Sequence, residues 1–377
     1  MSYKILPKLT GALALLTLLS ACSLFSTSSA PKPAELEQVG AGNARVLWNS
    51  RIDSLQFPLF IAARGEQFVV AGTDGVVQAL QAADGRSLWR ADVGDKLAAG
   101  VGSDGRFAAV VTRKNELVLI DAGQVLWRKT MPTPVNTAPL VAGERVFVMG
   151  VDRVVGAFDA LDGRPLWRLQ RPTDALTLSQ PGVLASYKDT LLVGQGAQLL
   201  GVDPLRGGVR WELTMANPRG TNEIERLADL VGPPLRLGDV FCARAFQSAV
   251  ACARADNGTL RWSRNAGGIQ PIGGDGELVV GGDASDRLTA WKTASGDIAW
   301  TQEKLLYRGL SGPLVTNAAV LVGDSEGWVH ALARSDGRLL ARWSTDGSPV
   351  ITPPVRLGDI VLVVTRNGGL YALRFEG

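Results

Sequence analysis

Residues 144–169 read "ERVFVMGVDRVVGAFDALDGRPLWRL". Apolar side chains alternate at Val146 and Val148, the pattern of a half-buried strand. "VD" at 151–152 turns the chain, Val154–Phe158 runs back, and Asp162-Gly163 turns it again into a strand carrying Trp167. Asp-Gly suits such a hairpin because glycine accepts positive φ and aspartate tolerates the neighbouring turn geometry. Upstream, "TAPLVAGE" (137–144) supplies one more strand with its turn. The stretch therefore reads as four short antiparallel strands, and its "DGRPLWR" (162–168) recurs as "DGRSLWR" (84–90) and, eroded, as "DGRLLAR" (336–342).

Aligning the chain on its tryptophans exposes the period. Trp89, Trp127, Trp167, Trp211, Trp262 and Trp300 each follow a glycine by four residues, at intervals of 38, 40, 44, 51 and 38. Gly337 opens a seventh copy in which Ala341 takes the tryptophan's place and Trp343 follows on the same strand face. Trp48, in "RVLWNS", stands 41 residues before Trp89 without a hairpin ahead of it. Four strands per unit of about 40 residues make a β-propeller blade. The fold class is therefore all-β: an eight-bladed β-propeller over 43–377. The lone strand "RVLW" (45–48) is expected to complete the last blade beside "PPVRLGD", "IVLVVTR" and "GGLYALR", closing the ring and hiding two open sheet edges.

Composition narrows the function. The 377 residues carry 39 Lys+Arg against 36 Asp+Glu, interspersed, so no basic stripe for nucleic acid is present. His330 is the single histidine, which removes most triads, His-based acid–base pairs and His-ligated zinc sites. No metal and no cofactor are expected: the acids sit mostly at hairpin turns such as Asp84, Asp162 and Asp336, and the oxygen-rich "GDSEG" (323–327) reads as another turn. His330 reads as a strand side chain. Cys242 and Cys252 flank a hairpin on one face, where a disulfide and a pair of small buried side chains both fit.

Residues 1–21 read as an export signal: Lys4 and Lys8, then an apolar run too short to span a bilayer. The ending "LSAC" (19–22) resembles the lipobox of bacterial lipoproteins, which implies cleavage before Cys22 and its acylation, with palmitate among the chains. Ser23 resembles the residue of lipoproteins sorted to the outer membrane. Several acyl chains, each gaining about 0.8 kcal/mol per buried CH₂, make such an anchor effectively permanent. Residues 22–42 are Ser/Ala/Pro/Gly-rich and read as a lipidated flexible tether with a root-mean-square reach of about 25 Å.

The copies resemble the PQQ-type repeat of quinoproteins, Ala-x-Asp-x-x-x-Gly-x-x-x-Trp, here Ala157, Asp159, Gly163 and Trp167, degenerate elsewhere (Gln81, Ala253 and Lys292 hold the Asp place). The resemblance implies that each tryptophan packs between neighbouring blades. It also raises the alternative of a periplasmic PQQ-dependent dehydrogenase, although those enzymes are longer and carry an adjacent Cys–Cys pair that this chain lacks.

Two segments depart from the repeat: "QRPTDALTLSQPG" (170–182) and the insertion "TMANPRGTNEIERLADLVGPP" (214–234). Repeat proteins commonly place binding surfaces on such loops. Together with the lipobox, tether and blades, "NEIERLADL" (222–230), "AWTQEKLLYR" (299–308) and "VGDSEG" (322–327) resemble the BamB family, the β-propeller lipoproteins of the outer-membrane β-barrel assembly machinery. The resemblance implies a non-enzymatic scaffold at the periplasmic face of the outer membrane. Its partners would be the POTRA domains of BamA, other members of the BAM complex and, as a further reading, unfolded outer-membrane proteins held at blade edges. The family's BamA-contacting positions carry over to Leu176, Leu178, Arg226 and Asp229. Val231 and Ser179 replace charged residues of that pattern.

Overall fold

The computed structural model describes residues 31–40, 42, 44–172, 176–217, 221–222 and 227–375. The export signal, the lipobox with Cys22, and Arg226 lie outside the described residues. From Ala34 onward the chain forms one compact unit. Its described residues contain strands and no helix, arranged as eight four-stranded antiparallel sheets.

The quoted stretch forms the third blade as read: strands Leu140–Ala142, Arg145–Met149, Val155–Asp159 and Pro165–Leu169 pair in that order. The innermost strands of successive blades touch from the first blade to the seventh, and Val355–Leu357 of the last blade meets Ala62–Arg64 of the first. Ala44–Arg51 is the outer strand of that last blade, antiparallel to Gly369–Phe375, so the two ends of the domain close the ring. Middle strands such as Phe107–Thr112 are buried along their whole length because sheets cover both faces, whereas outer strands such as Gln124–Thr130 are largely exposed. In such a meander the turns joining strands one to two and three to four emerge on one face of the disc. The turns joining strands two to three, and the links between blades, emerge on the other, here the loop face.

The Gly-x-x-x-Trp spacing has a cross-blade cause. Gly163 lies at φ 69° in the third blade's last turn, and a Cβ there would sit 2.7 Å from the Trp127 ring of the preceding blade. The Trp127 indole N–H then donates to the Ala160 carbonyl at 2.9 Å. Glycine is thus required twice, for the left-handed backbone and for ring contact. The same pairing joins Trp167 to Gly207, Trp211 to Gly258, Trp262 to Gly296 and Trp300 to Gly337. Trp48 completes the series from the N-terminal strand: it packs on Gly85 of the first blade and donates to the Ala82 carbonyl at 2.7 Å. In the seventh blade Ala341 stands where the tryptophan would be. There Gly42 comes close to Ala341 and to the edge of the Trp343 ring, so Trp343 shares the packing at that junction.

Two features differ from the sequence reading or settle an alternative. Cys242 and Cys252 oppose one another across adjacent strands and are joined by a disulfide. The stretch read as tether is not all free. Ala34 donates to the Leu306 carbonyl, Leu36 packs against the core between blades six and seven, and Arg342 N–H donates to the Gly40 carbonyl. Composition alone made these residues look like linker, because scattered contacts over the seven residues 34–40 leave no periodic signal.

Candidate partner-binding site on the loop face

The two irregular segments meet. The link after the third blade and the end of the insertion before the fifth are bound where Gly182 bridges Val231 and Gly232 N–H donates to the Pro181 carbonyl at 2.9 Å. Leu176, Leu178 and Asp229, about 50 residues apart in sequence, are thereby brought to one place.

Asp229 organises that place. One carboxylate oxygen accepts the Leu178 N–H at 3.1 Å, and the other accepts Arg153 at 2.6 Å. Arg153 also donates to the Leu176 carbonyl at 3.2 Å, so the ion pair holds the backbone at both leucines. The pair is largely enclosed, with side-chain exposures of 11% and 18%. Arg153 occupies the second turn of the third blade at φ 61°, and Gln195 of the fourth blade donates to its carbonyl at 2.9 Å. The main chain of the insertion is tied in as well: Leu230 N–H donates to Gly196 O and Phe246 N–H to Asp229 O, each at 2.9 Å.

Above this base Leu176 is exposed, Leu178 half-buried and Ser179 exposed. Single exposed leucines are ordinary on a protein surface, and Leu161 and Leu205 are more exposed. What distinguishes Leu176 and Leu178 is that a near-buried ion pair fixes their backbone. Val231 does not face outward: it is buried and pairs with Arg244 on the neighbouring strand. The valine that replaces a charged residue of the family pattern therefore lies inside the blade, where an apolar side chain fills the space.

Two arginines escaped the sequence reading. Arg153 carries a signal only in hindsight, as a non-glycine at a turn where other blades place Gly75, Gly327 or Gly368. Arg244 is fully buried and donates to the carbonyls of Ala266, Gly267 and Gly282, lashing the fifth blade to the sixth. Burial draws its guanidinium down to about 10, against the pull of Asp283.

The arrangement offers apolar anchors with a charged base, the makings of a contact surface. Nearby lies an apolar hollow of about 340 Å³ beneath the third blade, lined by Val148, Phe158, Leu166 and Trp167 among others, with no acid, histidine or cysteine. Among the described residues no group of three or more His, Cys, Asp and Glu gathers as a metal site.

Comparison with known proteins gives the family and agrees with the propeller fold. Residues 73–302 match the family model described as outer membrane protein assembly factor BamB. The protein of that name from Bordetella pertussis is 36% identical over 374 residues, covering 97% of this chain and 95% of the relative. Among solved structures, BamB from Moraxella catarrhalis superposes with a TM-score of 0.79 at 21% identity, covering 88% of this chain and all of that one. The quinohemoprotein alcohol dehydrogenase of Comamonas testosteroni reaches a TM-score of 0.67 at 15% identity, covering 91% of this chain and 78% of the enzyme, a likeness of fold alone. By the extent of the family match and of the Bordetella relative, this chain belongs to the family of the outer membrane protein assembly factor BamB.

Proposed function

We propose that the protein is a non-enzymatic scaffold of the outer-membrane β-barrel assembly machinery, held to the periplasmic face of the outer membrane by acylated Cys22 and docking the POTRA domains of BamA through its loop face. The supporting observation is the convergence of segments 176–182 and 229–232 around the Arg153–Asp229 pair. Leu176 and Leu178 supply the apolar contact, and Arg226 adds charge from the same insertion. Asp229 acts chiefly as a positioning residue, because both its oxygens are engaged within the protein. The disulfide fits an oxidising, exported setting. Residues 1–21 are the removed signal in this reading. The PQQ-dependent dehydrogenase has only the shared fold in its favour.

The deciding experiment is affinity purification from detergent-solubilised outer membranes. The wild-type protein is expected to retain BamA, whereas Leu176→Asp with Leu178→Asp loses it with an unchanged circular dichroism spectrum. Retained binding by that variant would overturn the site.

A further inference from the structure

Two motifs that carry the family resemblance, "EKLLYR" (303–308) and "GDSEG" (323–327), take no part in the site between blades three and four. The structure brings them together between blades six and seven. Asp324 is fully buried; one oxygen accepts the N–H groups of Glu326 and Trp328 at 2.9 Å each, and the other accepts Arg308 at 2.8 Å and contacts His330 at 3.0 Å. Arg308, itself buried, donates through its two terminal nitrogens to the main-chain carbonyl of Ala34, 3.0 Å away, and to Glu326. The guanidinium is thus fixed on three sides, and one of those sides is the chain's own N-terminal segment.

The contacts continue past Ala34. Ala34 N–H returns a bond to Leu306 O at 2.9 Å, and Leu36 enters the apolar cluster that holds Leu305 and Leu310. Glu37 pairs with Lys304 at 2.9 Å, and its carbonyl accepts Arg342 at 2.6 Å. Gly40 O then accepts the Arg342 N–H, satisfying one donor on the outer edge of blade seven.

We propose that the cluster of Arg308, Asp324 and Glu326 is a docking site for the protein's own segment 34–40, which makes Ala34, on the loop face, the point where the membrane leash leaves the propeller. This rests on the reading of Cys22 as the lipid anchor. Only the eleven residues from Ser23 to Pro33 then remain as leash, with a span of at most about 40 Å. Without docking, the twenty-one residues from Ser23 to Asn43 would reach about 75 Å. Docking thus halves the reach and starts the leash on the face that presents Leu176 and Leu178.

The test uses the full mature protein in phospholipid vesicles and a glutamyl endopeptidase, with cleavage after Glu35 and Glu37 followed by mass spectrometry. Wild-type protein is expected to be cut at these bonds at least ten-fold more slowly than Arg308→Met. The double variant Leu36→Ser with Lys304→Ala, which alters only the strap and its surface partner, should be cut as fast as Arg308→Met and keeps the test valid if Arg308→Met does not fold. Equal cleavage of the wild type and the double variant would overturn the proposal. The mass of the Cys22 peptide reports acylation separately, and protection of Glu35 and Glu37 is measured equally well on unanchored protein, so failure of the anchor and failure of the dock are told apart.

Discussion

Arg153 and Asp229, 76 residues apart in the chain, form a 2.6 Å ion pair that holds the main chain at both Leu176 and Leu178. Arg153 stands in a turn of the third blade and Asp229 in the insertion before the fifth, so the pair locks loops that the repeat itself does not hold. Its removal should act on the leucines rather than on the ring.

If Asp229 serves the leucines, Arg153→Ala and Asp229→Ala should each weaken binding of a POTRA fragment, and the double variant should bind little worse than either. Binding isotherms of the four proteins give the coupling, expected at about 1–2 kcal/mol. Strictly additive losses would mean that the acid reaches the partner directly.

The blades were legible because the repeated residues touch one another. A glycine at positive φ and a tryptophan four residues on look like one local motif, yet the contact is between the glycine of one blade and the tryptophan of the last. That requirement recurs at every junction but the one after the seventh blade, where Ala341 replaces the tryptophan, and leaves a period in the sequence. The proposed site was half legible: the departures from the period marked two loops that the structure brings together, but nothing in "ADLV" shows that Asp229 is engaged internally or that Val231 is buried. The ion cluster of blade seven was illegible for a similar reason. "GDSEG" does form a turn, but its aspartate is buried against Arg308 and His330, partners that a local reading cannot supply.

Trp48 tests ring closure. It does for the last and first blades what the other tryptophans do for sequential ones, although it lies at the opposite end of the domain from its sheet partners. Trp48→Ala should cost about 3–5 kcal/mol. Gly85→Ala should cost about 2–4 kcal/mol, from the left-handed backbone and the clash with the ring. Denaturant melts measure both, and a loss below 1 kcal/mol in Trp48→Ala would show that the ring closes without it.

The Cys242–Cys252 bridge spans a sequence separation of 10 and is fully buried within the fifth blade. Constraint of so short a loop predicts a loss of about 2–3 kcal/mol for the double alanine variant. Binding to the POTRA fragment should be unchanged, since the disulfide contributes no group to the loop face. Thermal melts with and without reductant, beside the same binding measurement, check both halves.

Asp324 predicts a pH signature. Burial by itself would raise its carboxyl, but hydrogen bonds from His330, the Trp328 N–H and Arg308 outweigh that and hold it below the ordinary carboxylate range. A carboxyl lowered on folding stabilises the protein at pH values above its unfolded pKa of about 3.9, and that stabilisation is lost as pH falls through the folded value. At pH 7 Asp324→Asn strands Arg308 with a single acid and should cost about 3–5 kcal/mol. As the pH drops below about 4 the unfolded chain takes up its proton first and folded Asp324 only at lower pH, so the wild-type advantage shrinks and the two stability curves should draw together. Urea melts of both proteins between pH 7 and pH 3 measure the gap. Parallel curves over that range would show that the charge on Asp324 contributes nothing to folding, and that the buried cluster is held by shape alone.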